Sequence, residues 1–334
     1  MKINTINLII DRHASIKKTK GPFLSIITPF FKNGKIDYGS LFKYLDYYYK
    51  RGCRNYYIMA YNSRLTLMTT EEIEKFNIRV IKFLRSKYKD IIIIAAEGVE
   101  NSTKTSIQLC NKFYKSGADM VSLIFGEKYY FDDQVYQHFK KVNDNTKIKL
   151  LLHLQKMTNG MSNIPPVVNY KLSLVSKIMK LKNFLAIKED TKDIDYTKKI
   201  LKKIKNKAII IKAGGGMEVF AKLYNLGCQS WLTGVECIDP KIALDFYDSL
   251  EAKNYKFCNT IIKKIERPFF KIVSKYGWHI TVKSCLADMN LMKRYERSPL
   301  KELNKKKHND IINLMNRLRR VSSSIGKDYF KRMK

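Results

Sequence analysis

Two hydrophobic patterns alternate along the chain. The first is a short, nearly continuous apolar run. It occurs eight times, at "FLSIIT" (23–28), "NYYIMA" (55–60), "IIIIAA" (91–96), "MVSLIF" (120–125), "IKLLLH" (148–153), "FLAIK" (184–188), "AIIIK" (208–212) and "SWLTG" (230–234). Such runs suit parallel strands covered on both faces. The second pattern places apolar residues three and four apart, as in "SLFKYLDYYYKRG" and "EEIEKFNIRVIKFLRSKY". That spacing predicts amphipathic helices. Gly52 is a fitting stop for the first, and Thr69 or Thr70 can cap the second ahead of Glu71 and Glu72.

Eight strand–helix units predict an α/β fold, a (β/α)8 TIM barrel over residues 22–250. A doubly wound sheet would carry GxGxxG after its first strand; here the glycine run "AGGG" follows the seventh. Residues 1–21 read as an N-terminal extension and 251–322 as a C-terminal helical region. Residues 323–334 read as a loose basic tail.

Hydrophobic residues make up 45% of the chain, which places it among globular proteins. No apolar run approaches the ~20 residues of a membrane helix. The first twenty residues lack a small-residue cleavage site, so no signal peptide is expected. The six cysteines are scattered, with no CxxC, so neither a metal site nor a disulfide scaffold is expected; reduced thiols and a cytoplasmic location are. The formal charge is +34. Its lysines occur in nearly every helical stretch, and no zinc-finger, RRM or helix-turn-helix signature accompanies them. The charge reads as a lysine-rich surface, and a nucleic-acid partner is not expected despite it. The clusters at 198–207 and 301–308 leave anion binding as a further reading.

A barrel of this kind carries its site at the C-terminal strand ends. There the sequence places Thr28, the segment "YNSRLT", Glu97-Gly98, Tyr129-Tyr130, His153, Lys188-Glu189, the glycines 214–216 and Thr233-Gly234. Lys188 is the unusual member. A lysine closing an apolar strand is desolvated, which favours its neutral form. A neutral amine can attack a ketone, and the protonated imine is an electron sink for making or breaking carbon–carbon bonds. The competing reading is a lysine that snorkels off the strand end or pairs with Glu189.

Six segments in order resemble the dihydrodipicolinate synthase / N-acetylneuraminate lyase family. They are "SIITPF" (25–30), "EGVENSTKTSI" (97–107), "SGADMVSL" (116–123), "YQHF" (136–139), "LAIKEDT" (185–191) and "GCQSWLTGVECIDP" (227–240). The resemblance spans roughly residues 22–320 and implies a class I, Schiff-base-forming aldolase barrel. It sets Lys188 on the family's imine-forming lysine and implies pyruvate or a related 2-keto acid as substrate. The chemistry implied is 4-hydroxy-tetrahydrodipicolinate synthase-like or sugar-acid lyase-like. No metal or diffusible cofactor is implied, because the imine with Lys188 is itself the electron sink. A homo-oligomer, dimer or tetramer, is implied as well.

The departures are equally specific. The strand 2 loop, Gly-Thr-Thr-Gly-Glu in the family, reads "MAYNS" (59–63). Tyr61, Ser63 and Arg64 become the candidate carboxylate contacts, Arg64 as a bidentate partner. At strand 5 the family's tyrosine is replaced by His153, a candidate acid/base. Tyr130, Gly214 and Gly234 complete the expected substrate contacts. The rival expectation is a family member that has lost catalysis and binds a ligand or partner.

Overall fold

The computed structural model describes residues 19–98, 102–126, 131–155, 170–204 and 207–333. Eight parallel strands close into a barrel in chain order. They are β1 (Gly21–Ser25), β2 (Asn55–Tyr57), β3 (Ile92–Ala96), β4 (Met120–Leu123), β5 (Lys149–Gln155), β6 (Phe184–Asp190), β7 (Ile209–Lys212) and β8 (Ser230–Thr233). β1 pairs with both β2 and β8, which closes the ring. A helix follows each strand: α1 (Tyr38–Tyr49), α2 (Thr70–Lys87), α3 (Thr103–Ser116), α4 (Asp132–Asp144), α5 (Leu172–Ile178), α6 (Ile194–Ile204), α7 (Gly216–Tyr224) and α8 (Pro240–Glu251). The expected TIM barrel is therefore present.

Local chemistry accounts for the helix ends. Thr69 caps α2, accepting from the Glu72 amide, while the Glu72 carboxylate reaches back to the Thr69 amide. Gly117 closes α3 in the left-handed region at φ 102°.

The barrel interior is packed, with Ile94, Leu151, Ala186 and Ile211 inaccessible to solvent. Tyr57 on β2, Ser122 on β4 and Lys188 on β6 meet across it. The Tyr57 hydroxyl donates to Ser122 Oγ at 2.7 Å, and Lys188 Nζ stands 4.8 Å from the centre of the Tyr57 ring. This is a layer contributed by alternate strands.

Beyond α8 the chain is helical, as expected, and folds back over the barrel mouth. α9 (Tyr255–Ile261) runs through a π-turn at Ile262–Glu266 into α10 (Arg267–Tyr276); α11 (Trp278–Asp288) and α12 (Lys305–Met333) follow. The backbone of α12 continues through the segment read as a loose tail. The reason is that its apolar positions, Ile311, Met315, Leu318 and Ile325, keep helical spacing past that boundary and are buried.

Candidate active site

Strand alternation explains how β6 divides its charged end. Lys188 and Asp190 point one way and Glu189 the other. Glu189 is fully buried on the outer face, where Lys212 pairs with it and Thr197 on α6 donates to it at 2.6 Å. Thr191 also donates to Glu189. Glu189 is thus occupied by Lys212, and the expected alternative pairing of Lys188 with Glu189 does not form.

Lys188 is 2% exposed, and among the described residues no hydrogen-bond acceptor lies within bonding distance of its amine. The nearest carboxylate oxygen, Asp190 Oδ2, is 3.8 Å away. Burial pulls the Lys188 pKa down to about 8, with Asp190 opposing the shift. The same Asp190 oxygen lies 3.6 Å from His153 Nε2, while Lys192 pairs with Oδ1. These cations and the imidazole hold the Asp190 carboxyl well below the usual range, against its own burial.

His153 is paired in register with Lys188, so both side chains leave their strands on the same side. Burial, and then the Lys188 charge, hold its pKa down at about 4. The imidazole expected as a candidate acid/base is therefore neutral at physiological pH. It lies beside the main cavity, in a small adjoining pocket with Tyr57, Tyr61 and Ser122.

The amine opens into a cavity of about 340 Å³ at the C-terminal end of the barrel. Lys188, Asp190 and Lys192 form one side of it. Gly214 to Gly216 follow from β7, and Trp231 to Val235 from β8. Ser25, Ala60, Tyr61 and Asn62 face them. The C-terminal helices supply Glu266, Phe270 and Trp278. Glu266 accepts from the amides of Met217 and Glu218, so it fixes the start of α7.

The structure brings Lys188, Tyr61, Gly214 and Gly234 to this cavity, with His153 next to it. Ser63 and Arg64 lie outside the lining. Ser63 is fully buried, with Oγ 2.6 Å from the Ile26 carbonyl and 3.0 Å from that of Ile58, which ties the loop to the barrel. Arg64 sits in the left-handed region at φ 62° and pairs through Nε with Glu296 at 3.3 Å. Tyr130, with Tyr129, lies outside the described residues. Asp190, Lys192, Phe270 and Trp278 were not anticipated. Alternation along "KED" was the available signal for Asp190. The other three reach the site through a turn and through helix packing, which leave no local pattern.

Among the described residues, no group of three or more His, Cys, Asp or Glu side chains is arranged to hold a metal ion. No helix among them is long and apolar enough to cross a membrane. The six cysteines are unpaired.

The family model described as the dihydrodipicolinate synthetase family matches residues 18–318. The chain belongs to the dihydrodipicolinate synthetase family. The resemblance seen in the six segments therefore holds. Among the relatives, a 4-hydroxy-tetrahydrodipicolinate synthase of Thermodesulfovibrio yellowstonii is 26% identical over 301 residues, 88% of this chain and 97% of that one. One from Buchnera aphidicola (Schizaphis graminum) is 30% identical over 196 residues, which cover 58% of this chain and only 62% of the relative. Solved structures agree in fold. The 4-hydroxy-tetrahydrodipicolinate synthase of Methylacidiphilum fumariolicum superposes with a TM-score of 0.78 at 18% identity, covering 92% of this chain and 99% of that one. The Acinetobacter baumannii dihydrodipicolinate synthase, solved in complex with pyruvate, gives 0.75 at 23% identity, covering 90% and 98%.

Proposed function

We propose that this protein is a Schiff-base-forming lyase or aldolase acting on pyruvate or a related 2-keto acid, with Lys188 as the nucleophile. The observation that carries the reading is a buried, unbonded amine with its pKa near 8, open to a cavity at the C-terminal end of β6. The neutral amine adds to the C2 carbonyl, and the carbinolamine loses water to give a protonated imine. Its positive charge acidifies the C3 proton. Loss of that proton gives an enamine, whose C3 adds to an aldehyde; the reverse sequence cleaves the bond. Asp190 and His153 are the nearest proton-handling groups. Asp190 stabilises the cationic imine, and neutral His153 donates to it or relays a proton. Tyr61 contributes to substrate contact at the cavity wall. The same reading has a homo-oligomer working in the cytoplasm, supported by the family and the unpaired thiols.

A second reading, a ligand-binding member without turnover, is favoured by one observation: Ser63 and Arg64 are consumed by structural contacts. Borohydride reduction after incubation with pyruvate separates the two. The lyase reading predicts a reduced pyruvyl adduct, mapped to the Lys188 peptide and lost in Lys188→Ala. No adduct with pyruvate or with a panel of 2-keto acids would favour the binding protein.

A further inference from the structure

The proposed substrate is an anion, and Arg64 is turned away from the cavity. Among the described residues, the cationic side chains that line the cavity are Lys188 and Lys192. Lys188 is spent on the covalent bond, which leaves Lys192.

Its placement is built by the chain on both sides. Lys192 adopts φ 63°, a left-handed backbone that a residue with a side chain takes up only at a free-energy cost. Gly214 sits opposite at φ 75°, and a Cβ there would fall 2.4 Å from Lys192 Nζ and 2.8 Å from its Cδ. The bare glycine backbone is thus the bed on which the lysine stem lies. The turn and the missing side chain together bring the ammonium to Asp190 Oδ1. The other oxygen of that carboxylate is 3.8 Å from Lys188 Nζ. The two amines therefore flank a single carboxylate. The Lys192 side chain is also 64% exposed, so it is free to leave its partner.

A 2-keto acid joined to Lys188 through C2 carries its own carboxylate on the adjacent carbon. That anion must lie close to Nζ of Lys188, and so close to Asp190. We propose that Lys192 is the receptor for the substrate carboxylate. Its ammonium, which rests on Asp190, transfers to the keto acid on binding. A lysine suits this task, being a point charge on a flexible stem. The exchange relieves the repulsion between the substrate carboxylate and Asp190, and it selects 2-keto acids over neutral ketones. This inference rests on the reading of Lys188 as the imine-forming residue.

The test compares two ketones. Wild type, Lys192→Met and Lys192→Arg are titrated separately with pyruvate and with hydroxyacetone, a neutral three-carbon ketone. Adducts are reduced with borohydride and counted by intact mass, and circular dichroism melting checks the fold of each variant. The readout is the ratio of the two half-saturating concentrations. Any effect of the substitution on Lys188 itself changes both titrations together and cancels in the ratio. We expect the preference for pyruvate to fall about ten-fold or more in Lys192→Met, the scale of one charge-assisted hydrogen bond, and to persist in Lys192→Arg. An unchanged ratio in Lys192→Met, with both ketones trapped, overturns the carboxylate receptor and leaves the Lys188 reading intact. Wild type that traps neither ketone overturns both.

Discussion

Among the described residues, two buried charge clusters have almost the same composition. One holds Lys188, His153 and Asp190, with Lys192 alongside. The other holds Lys283, His279 and Glu296, with Arg64 alongside. In both, burial lowers the lysine to about 8 and the histidine to about 4. In both, the neighbouring cations hold the carboxylate below its usual range. What differs is occupancy and access. Lys283 Nζ donates to the Tyr295 carbonyl at 2.6 Å, and no member of its cluster lines the main cavity. Among the described residues Lys188 has no such acceptor, and it faces a cavity of about 340 Å³. A perturbed lysine is therefore not evidence of chemistry by itself; an unbonded one with room for a ketone is. The second cluster is a fastener, because Glu296 in the C-terminal region clamps the strand 2 loop through Arg64.

The sharpest way to break this contrast is to remove each lysine in turn. Lys283→Ala leaves Glu296 buried with one partner fewer, so urea unfolding should show a loss of about 3 kcal/mol while pyruvate trapping persists. Lys188→Met removes a desolvated amine, and Asp190 keeps Lys192 as a partner, so stability should stay within about 1 kcal/mol of wild type while trapping vanishes. Equal stability losses in the two variants would erase the distinction.

A smaller effect tests the cavity wall. Gly234 has an ordinary backbone, φ −141°, but a Cβ there would lie 2.0 Å from Trp278 Cζ2. Gly234→Ala should displace the indole into the cavity and slow adduct formation about ten-fold, with recovery when Trp278→Leu is added. No recovery in the double variant would mean that Trp278 is not the obstacle.

A pH-dependent effect is shared by both clusters and extends to His138. His153, His279 and also His138 are held near 4, against an ordinary value of 6.5. Between those values the unfolded chain binds protons that the folded chain does not, so stability rises with pH there. Acidification from 6.5 towards 4 should lower the unfolding free energy measured in urea, by up to about 1.4 kcal/mol per pH unit for each fully shifted histidine, less what Glu236 and Glu266, raised to about 7, return in the same window. A flat profile across that window would contradict the depressed imidazoles.

Much of the fold was legible because each strand is an apolar run with its own boundaries. The disagreements were at strand ends. The run at 23–28 stays buried to Thr28, but its ladder stops at Ser25, so burial outlasted pairing. The site was legible where chemistry coincided with a strand end, as at Lys188. Asp190 is two residues on, and reading β6 as ending at Lys188 hid it; the strand in fact runs to Asp190. Ser63 and Arg64 carried suitable groups, but a short 3-10 turn buries one and a left-handed residue turns the other towards Glu296. Trp278 comes from a helix 44 residues beyond Gly234, and such contacts are set by packing alone.

The central claim is that burial makes Lys188 a nucleophile near neutrality. The direct measurement is the initial rate of pyruvate adduct formation at Lys188, trapped with borohydride between pH 6 and 11. The account predicts a rate that climbs through a midpoint at about 8 as the amine loses its proton. A midpoint at the ordinary lysine value of 10.5, or no adduct at any pH, would contradict it.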